Sequence, residues 1–274
     1  MSVKYDFYDD MKVVLITGSS SGIGAAIAVQ FAQSGANVVV TGRRADKLAE
    51  VAKQCQNVSP KQFKALEVVG DITEKTQCKR LVETTIGQFG RLDILVNNAG
   101  IGTTGALSDG DYYDKFESLM QLNLNTTVYL TYLSVDHLSK TGGNIVNISS
   151  GAGVRAVAGV SAYCMSKSAM DMFTYCCAAE LGPKNIRVNV ISPGPVKSTG
   201  IMIAAGAAQG TDQSDAIFEH VGQVLPVGRP GRPEEVADAV LFVASDHAQF
   251  VTGTHMCVDG GIVAANAFAA PPKH

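Results

Sequence analysis

The sequence predicts an α/β fold, a doubly wound sheet of seven parallel strands with helices on both faces. Three observations predict it: seven short apolar runs separated by helical patterns, a glycine-rich turn between the first run and the first helix, and no internal repeat or low-complexity linker. Parallel neighbours need right-handed crossovers, which the intervening helices supply.

Residues 12–17 (KVVLIT) form the first strand and end in Gly-Ser. A helix over 23–34 follows, with Ile23, Ile27 and Phe31 at helical spacing and Gly35 as its stop. The second strand is 37–41 (NVVVT), with a helix over 45–54 behind it. Strands at 65–70 and 93–96 flank a helix over 73–87. Strands at 144–148 (NIVNI), 186–191 (IRVNVI) and 254–258 complete the sheet, the last closed by Asp259-Gly260-Gly261. The final helix is marked by Pro233 in its first turn, by Glu234 and Glu235 at its positive end, and by the apolar face of Val236, Ala239, Val240 and Val243. Residues 195–222 show no clear period and are expected to form an irregular lid. The chain reads as one domain, 1–274, with a core of about 12–261.

The chain has 274 residues, Lys+Arg 22 against Asp+Glu 25 (net charge −3), 46% hydrophobic and 17% charged residues. That balance excludes intrinsic disorder, and it leaves no cationic excess for a nucleic-acid partner. The start of the chain is polar and acidic at Asp6, Asp9 and Asp10, unlike a signal peptide, and no stretch nears the ~20 apolar residues of a membrane span. Cysteines at 55, 78, 164, 176, 177 and 257 have neither zinc nor disulfide spacing and read as buried free thiols in a reducing compartment. Histidines 137, 220, 247, 255 and 274 are scattered without metal spacing. The expectation is a cytoplasmic protein with no metal and no membrane partner.

Gly18, Gly22 and Gly24 stand in TGSSSGIG, with Ser20, Ser21 and Ile23 between them. Glycines there permit a tight turn and let the backbone approach a pyrophosphate, whose charge sits at the helix N-terminus. An NAD site places an acid at the end of the second strand; here Gly42 takes that place and Arg43 and Arg44 follow. A guanidinium pairs with a 2′-phosphate, so NADP(H) is predicted over NAD(H). Asp71, ending the third strand, is placed to meet the adenine edge or to cap the helix at Thr73.

Tyr163 and Lys167 are four apart in SAYCMSKSAM and so share a helix face. An ammonium beside a phenol is expected to lower its pKa from ~10 and fit it for proton transfer. Ser150 ends the fifth strand in NISSGAG, where a hydroxyl can bond a substrate oxygen. Asn98, Ala99 and Gly100 end the fourth strand, where the chain must pass close to a cofactor.

TGSSSGIG, NNAG, the Ser150/Tyr163/Lys167 set, SPGPV at 192–196 and the closing VDGG run in this order through nearly the whole chain. Together they resemble the one-domain form of the short-chain dehydrogenase/reductase family, whose sheet is Rossmann-like. The resemblance implies a nicotinamide-dependent oxidoreductase acting on a carbonyl/alcohol pair. It implies that Tyr163 is the acid/base, that Lys167 holds the nicotinamide ribose and tunes the tyrosine, and that Ser150 polarises the carbonyl. Asn123, in LNLNTTV, would anchor a water relaying protons to Lys167. Ile23 would sit at the phosphate loop and Asn98 near the adenosine ribose. Pro193, Gly194 and Val196 would lie by the carboxamide, where Ser198 keeps a hydroxyl. A homotetramer or dimer through the Tyr163 helix and the last strand is also implied, with the tail after Gly261 packed on a neighbour or frayed.

Two rivals use the same turn. A non-catalytic NADP(H)-binding regulator need not keep the three catalytic groups together, and a methyltransferase wants an acid where Gly42-Arg43 stands. The lid residues Ile201, Met202, Ile203, Ala204 and Ala205 are apolar and Lys197 is its only Lys or Arg, which suggests an apolar carbonyl or alcohol. Val154, Arg155 and Val157 are pocket candidates, and a 3-oxoacyl carrier-linked thioester is the alternative substrate. An NADP(H) preference points to reduction in cells.

Overall fold

A computed structural model describes residues 5–7 and 11–265. The chain runs β1 (Val13–Ile16), α1 (Gly22–Gln33), β2 (Asn37–Gly42), α2 (Ala45–Val58), β3 (Leu66–Val69), α3 (Lys75–Phe89) and β4 (Ile94–Asn97). It continues through α4 (Tyr112–Met120), a π-helical turn (Gln121–Asn125), α5 (Thr126–Thr141), β5 (Asn144–Ile148), α6 (Ser161–Leu181) and β6 (Arg187–Pro193). Then come α7 (Ile201–Ala204), α8 (Thr211–Gly222), α9 (Pro233–Ala244) and β7 (His255–Val258). The strands form one parallel seven-stranded sheet, as the sequence predicts, in the order β3-β2-β1-β4-β5-β6-β7. Winding reverses between β1 and β4, so a crevice opens at their C-terminal ends.

Strand residues alternate between two cores because successive side chains leave a strand on opposite faces. Val14, Ile16, Val38, Val40, Ile94 and Val96 face α1, α2 and α9. Val13, Leu15, Val39, Leu95, Ile145 and Val188 face α3, α5 and α6. Truncating fully buried Leu15 or Ile16 to Ala costs about 2–5 kcal/mol. Asp93, buried at the base of β4, accepts the Val13 N–H at 2.8 Å and pairs with Arg91 at 2.6 Å, joining the central strands where winding reverses.

The segment 195–222 departs from expectation, since it carries α7 and α8 rather than irregular chain. The buried stripe of α8 is Ser214, Phe218 and Gly222, at helical spacing but with a single large apolar residue, so hydrophobic periodicity is weak there. The thiols also depart from expectation. Cys55, Cys78 and Cys177 are buried, Cys164 is half-buried, and Cys176 and Cys257 are exposed. Adjacent positions on a helix point about 100° apart, which separates Cys176 from Cys177, and Cys257 lies on the edge strand β7. Among the described residues no helix is long and apolar enough to cross a membrane. The expected packing of the tail falls largely on 266–274, outside the described residues.

Candidate active site

The glycine turn leaves β1 at Gly18 (φ 64°) and enters α1 at Gly22 (φ 57°), two left-handed positions. Gly24 is required for another reason: a Cβ there would fall 2.5 Å from both Asn98 Nδ2 and the Gly18 carbonyl oxygen. Ser21 precedes α1 in extended conformation and makes no side-chain cap, which leaves the first turn's N–H groups directed at the crevice. The backbone of Ser198 and Thr199 crosses opposite, with a Cβ on Gly22 lying 3.4 Å from the Ser198 carbonyl oxygen. Close backbone approach, positive-φ glycines and an uncapped helix N-terminus suit a dinucleotide pyrophosphate.

Residues that the motifs do not advertise brace this cradle. Ser19 Oγ donates to the Ile16 carbonyl (2.9 Å) and accepts the Thr41 N–H (2.9 Å), tying the turn to β2. Thr17 Oγ1 accepts the N–H groups of Asn98 and Ala99, both at 3.0 Å. The Asn98 amide donates to the Thr17 carbonyl at 2.8 Å, so its side chain is turned onto the glycine turn.

Arg44 Nη2 donates to Ser21 Oγ at 3.2 Å and so lies over the turn, while the Arg43 side chain is 74% exposed and 3.9 Å from Asp71. Asp71 Oδ1 accepts the Thr73 N–H (3.0 Å) and hydroxyl (2.8 Å), bonds that hold its pKa down. Because α3 starts at Lys75 behind Glu74, Asp71 closes the preceding turn and does not cap the helix. Pro193 ends β6 and Gly194 packs on Asp259, where a Cβ would fall 2.7 Å from its Cα. Val196 is buried and bridges to Gly231. Ser198 takes φ 56°, its N–H donates to Asp215 at 2.7 Å, and its hydroxyl lies 3.5 Å from the same carboxylate.

Ser150, Tyr163 and Lys167 converge at the end of β5. The Ser150 hydroxyl hydrogen-bonds Tyr163 and accepts the Ala152 N–H at 3.2 Å. Lys167 Nζ lies 5.8 Å from the Tyr163 ring centroid and donates to the Ile148 carbonyl at 2.8 Å. One expectation is reversed here: burial pushes the Tyr163 phenol up to about 12, outweighing the Ser150 hydrogen bond. The ammonium faces the ring, with one of its three donors on a backbone carbonyl, and burial of the phenol prevails. Burial also pushes Lys167 down to about 8, with Asp171 opposing.

Asn123 is fully buried on the π-helical turn. Its amide clasps the Ile101 backbone, accepting the N–H (2.9 Å) and donating to the carbonyl (2.9 Å), and donates to Ser166 Oγ at 3.2 Å. A Cβ on Gly100 would lie 3.2 Å from Asn123 Oδ1 and 3.6 Å from Lys167 Nζ, so the three meet around Gly100. Val154 is exposed and Arg155 and Val157 are half-buried at the start of the next loop.

A sheet crevice at the winding reversal, a glycine cradle and a Ser-Tyr-Lys cluster define a nucleotide-dependent oxidoreductase. Residues 18–263 match the family model described as enoyl-(acyl carrier protein) reductase. Versicolorin reductase 1 of Dothistroma septosporum is 35% identical over 261 residues, covering 93% of this chain and 97% of its own length. The 3-oxoacyl-[acyl-carrier-protein] reductase FabG of Thermotoga maritima is 36% identical over 253 residues, covering 92% and 98%. A short-chain dehydrogenase/reductase from Caenorhabditis elegans, solved with cofactor, superposes with TM-score 0.85 at 35% identity, covering 94% and 98%. The chain belongs to the short-chain dehydrogenase/reductase family, whose members bind NAD or NADP and whose relatives here are oxidoreductases. It is therefore an enzyme, and the regulator and methyltransferase readings are set aside.

Proposed function

We propose that the protein is an NADP(H)-dependent oxidoreductase that interconverts a carbonyl and a secondary alcohol on an apolar small molecule, with Tyr163 as acid/base. The observation that carries this reading is the Ser150–Tyr163 hydroxyl pair above Lys167, at the mouth of the β1/β4 crevice. Nicotinamide, when bound, supplies or accepts the hydride. The Ser150 hydroxyl donates to the substrate carbonyl oxygen, and Tyr163 gives that oxygen a proton as carbon is reduced. A phenol pushed up to about 12 is protonated at neutral pH, so the resting enzyme is loaded for reduction. Lys167 binds the nicotinamide ribose, and Asn123 anchors a water that passes protons to it.

The cradle residues Gly18, Ser20, Ser21, Gly22, Ile23 and Gly24 take the pyrophosphate. Asp71, Asn98, Ala99 and Gly100 line the adenosine side, and Pro193, Gly194, Val196 and Ser198 the carboxamide side. Arg44, drawn over Ser21, supports a 2′-phosphate contact, with Arg43 beside it. The apolar lid supports the substrate class. The FabG relative favours a 3-oxoacyl carrier-linked thioester as a second reading, but Lys197, the lid's only Lys or Arg, is paired with Glu219. We further read residues 1–274 as one cytoplasmic domain that assembles as a homotetramer or dimer. Exposed Val128 and Tyr132 on α5 and Met165, Met172 and Tyr175 on α6 support that assembly.

The test is reduced-nicotinamide absorbance with NADPH or NADH against panels of ketones, aldehydes, alcohols and 3-oxoacyl thioesters. Faster turnover with NADPH on apolar ketones is expected. Tight cofactor binding with no turnover on any compound overturns the reading.

A further inference from the structure

Behind the Tyr163–Lys167 pair, α6 carries a third ionisable group on the same face, Asp171, one turn beyond the lysine. Its residue is 5% exposed and neither carboxylate oxygen has a hydrogen-bond partner among the described residues. Gly153 passes so close that a Cβ there would fall 2.5 Å from Asp171 Oδ2. Ser149, at the end of β5, lies beside it but donates its hydrogen bond to the Lys167 carbonyl at 3.3 Å. From β7, His255 brings Nδ1 to 3.8 Å from Asp171 Oδ2, and that nitrogen is 3.2 Å from the Tyr175 hydroxyl. His255 Nε2 is buried without a partner. Cys257 completes the titratable surroundings from β7.

A buried carboxylate with no donor but the Ser149 hydroxyl beside it depends for its ionised form on nearby cations. Those whose charge reaches Asp171 are Lys167, one helical turn back, and His255 at 3.8 Å when protonated. We propose that Asp171 is a positioning residue for the reaction: its buried carboxylate holds the Lys167 ammonium in the charged form from one helical turn away, and His255 on β7 fixes that carboxylate. The dependence is mutual. Burial pushes Asp171 up, while the Ser149 hydroxyl, His255 and Lys167 pull it back; burial pushes Lys167 down and Asp171 opposes it. The inference rests on the proposed roles of Tyr163 and Lys167.

Two readouts test it. In protein labelled with ε-13C lysine, the Lys167 titration midpoint should fall by about one unit or more in D171N and stay near wild type in D171E. The basic limb of the kcat/KM profile should move with it. An unchanged Lys167 midpoint in D171N that melts as a folded protein overturns the proposal. Should D171N not fold, wild type decides: the Lys167 ε-carbon must show a second inflection at the Asp171 carboxyl midpoint, and its absence overturns the proposal. The spectra need no substrate. A wild type that turns over no carbonyl compound therefore refutes the proposed function while leaving the Asp171 result readable.

Discussion

Around the glycine turn, main chain meets main chain. A Cβ on Gly24 would sit 2.5 Å from the Gly18 carbonyl oxygen, and one on Gly18 would sit 2.9 Å from the Ala99 Cα. Across the crevice the lid reaches the β4 loop differently. Thr104 Oγ1 donates to the Ala205 carbonyl at 3.0 Å from an exposed position, and a Cβ on Gly102 would meet the Ile201 and Ala205 side chains and the Ile201 carbonyl oxygen no closer than 3.3 Å. A wall made of backbone admits few residue types, so it is written in the sequence as glycines. A wall built largely of partly exposed side chains admits many, which leaves room for substrates to differ on one scaffold.

The sharpest break of that comparison comes from the chemistry lying between the walls. Y163F should lower kcat by about a thousandfold while the NADPH Kd stays within about twofold, because a general acid is lost and no binding surface is. Retained turnover in that variant removes the acid/base role. On the backbone wall, G24A should cost about 1–3 kcal/mol in urea unfolding and weaken NADPH binding, since one neighbour is the Gly18 carbonyl and the other, the Asn98 amide, is held by hydrogen bonds to the Thr17 and Gly18 carbonyls. At its rim, R44D should lower the NADPH-to-NADH ratio of kcat/KM by about tenfold or more, and R43D by less. An unchanged ratio in both variants removes the 2′-phosphate assignment. Proton linkage should also be visible. Lys167 sits at about 8 in the folded chain against an ordinary 10.5, so from about pH 8 to 9, before the buried thiols raised to about 11–12 reverse the slope, the unfolded chain binds the extra proton and stability rises with pH. K167M should flatten that rise across a urea series. On the side-chain wall, T104V should raise KM by no more than about tenfold and leave NADPH binding alone, as one exposed hydrogen bond is worth about 0.5–1.5 kcal/mol. A large loss of NADPH affinity would show that the two walls are not independent.

Seven parallel strands, the glycine cradle and the meeting of Ser150, Tyr163 and Lys167 are all legible, because each is carried by a local pattern: apolar runs, glycines at a turn, a four-residue step on one helix. What was not legible depends on partners distant in sequence. Thr17 and Ser19 read as ordinary turn residues until Asn98 and Thr41 are beside them. Helix α8 hides because its buried stripe is Ser214, Phe218 and Gly222. The spacing of Tyr163 and Lys167 implies a lowered phenol, yet the sign is set by how deeply the fold encloses both, and enclosure cannot be read from spacing. Asp171 is illegible for the same reason. In the sequence it is one acid on a long helix, and its burial beside Gly153 and His255 exists only in three dimensions.

The wide turn at Gln121–Asn125 has a further consequence. A π-turn holds about one residue more than an α-turn. A chain shortened by one residue there would draw α4 and α5 into an uninterrupted rod, and the grip of Asn123 on Ile101 would be released with no side chain altered. At this turn chain length matters as well as side-chain chemistry, and loss of a single residue would act on Asn123 from outside it.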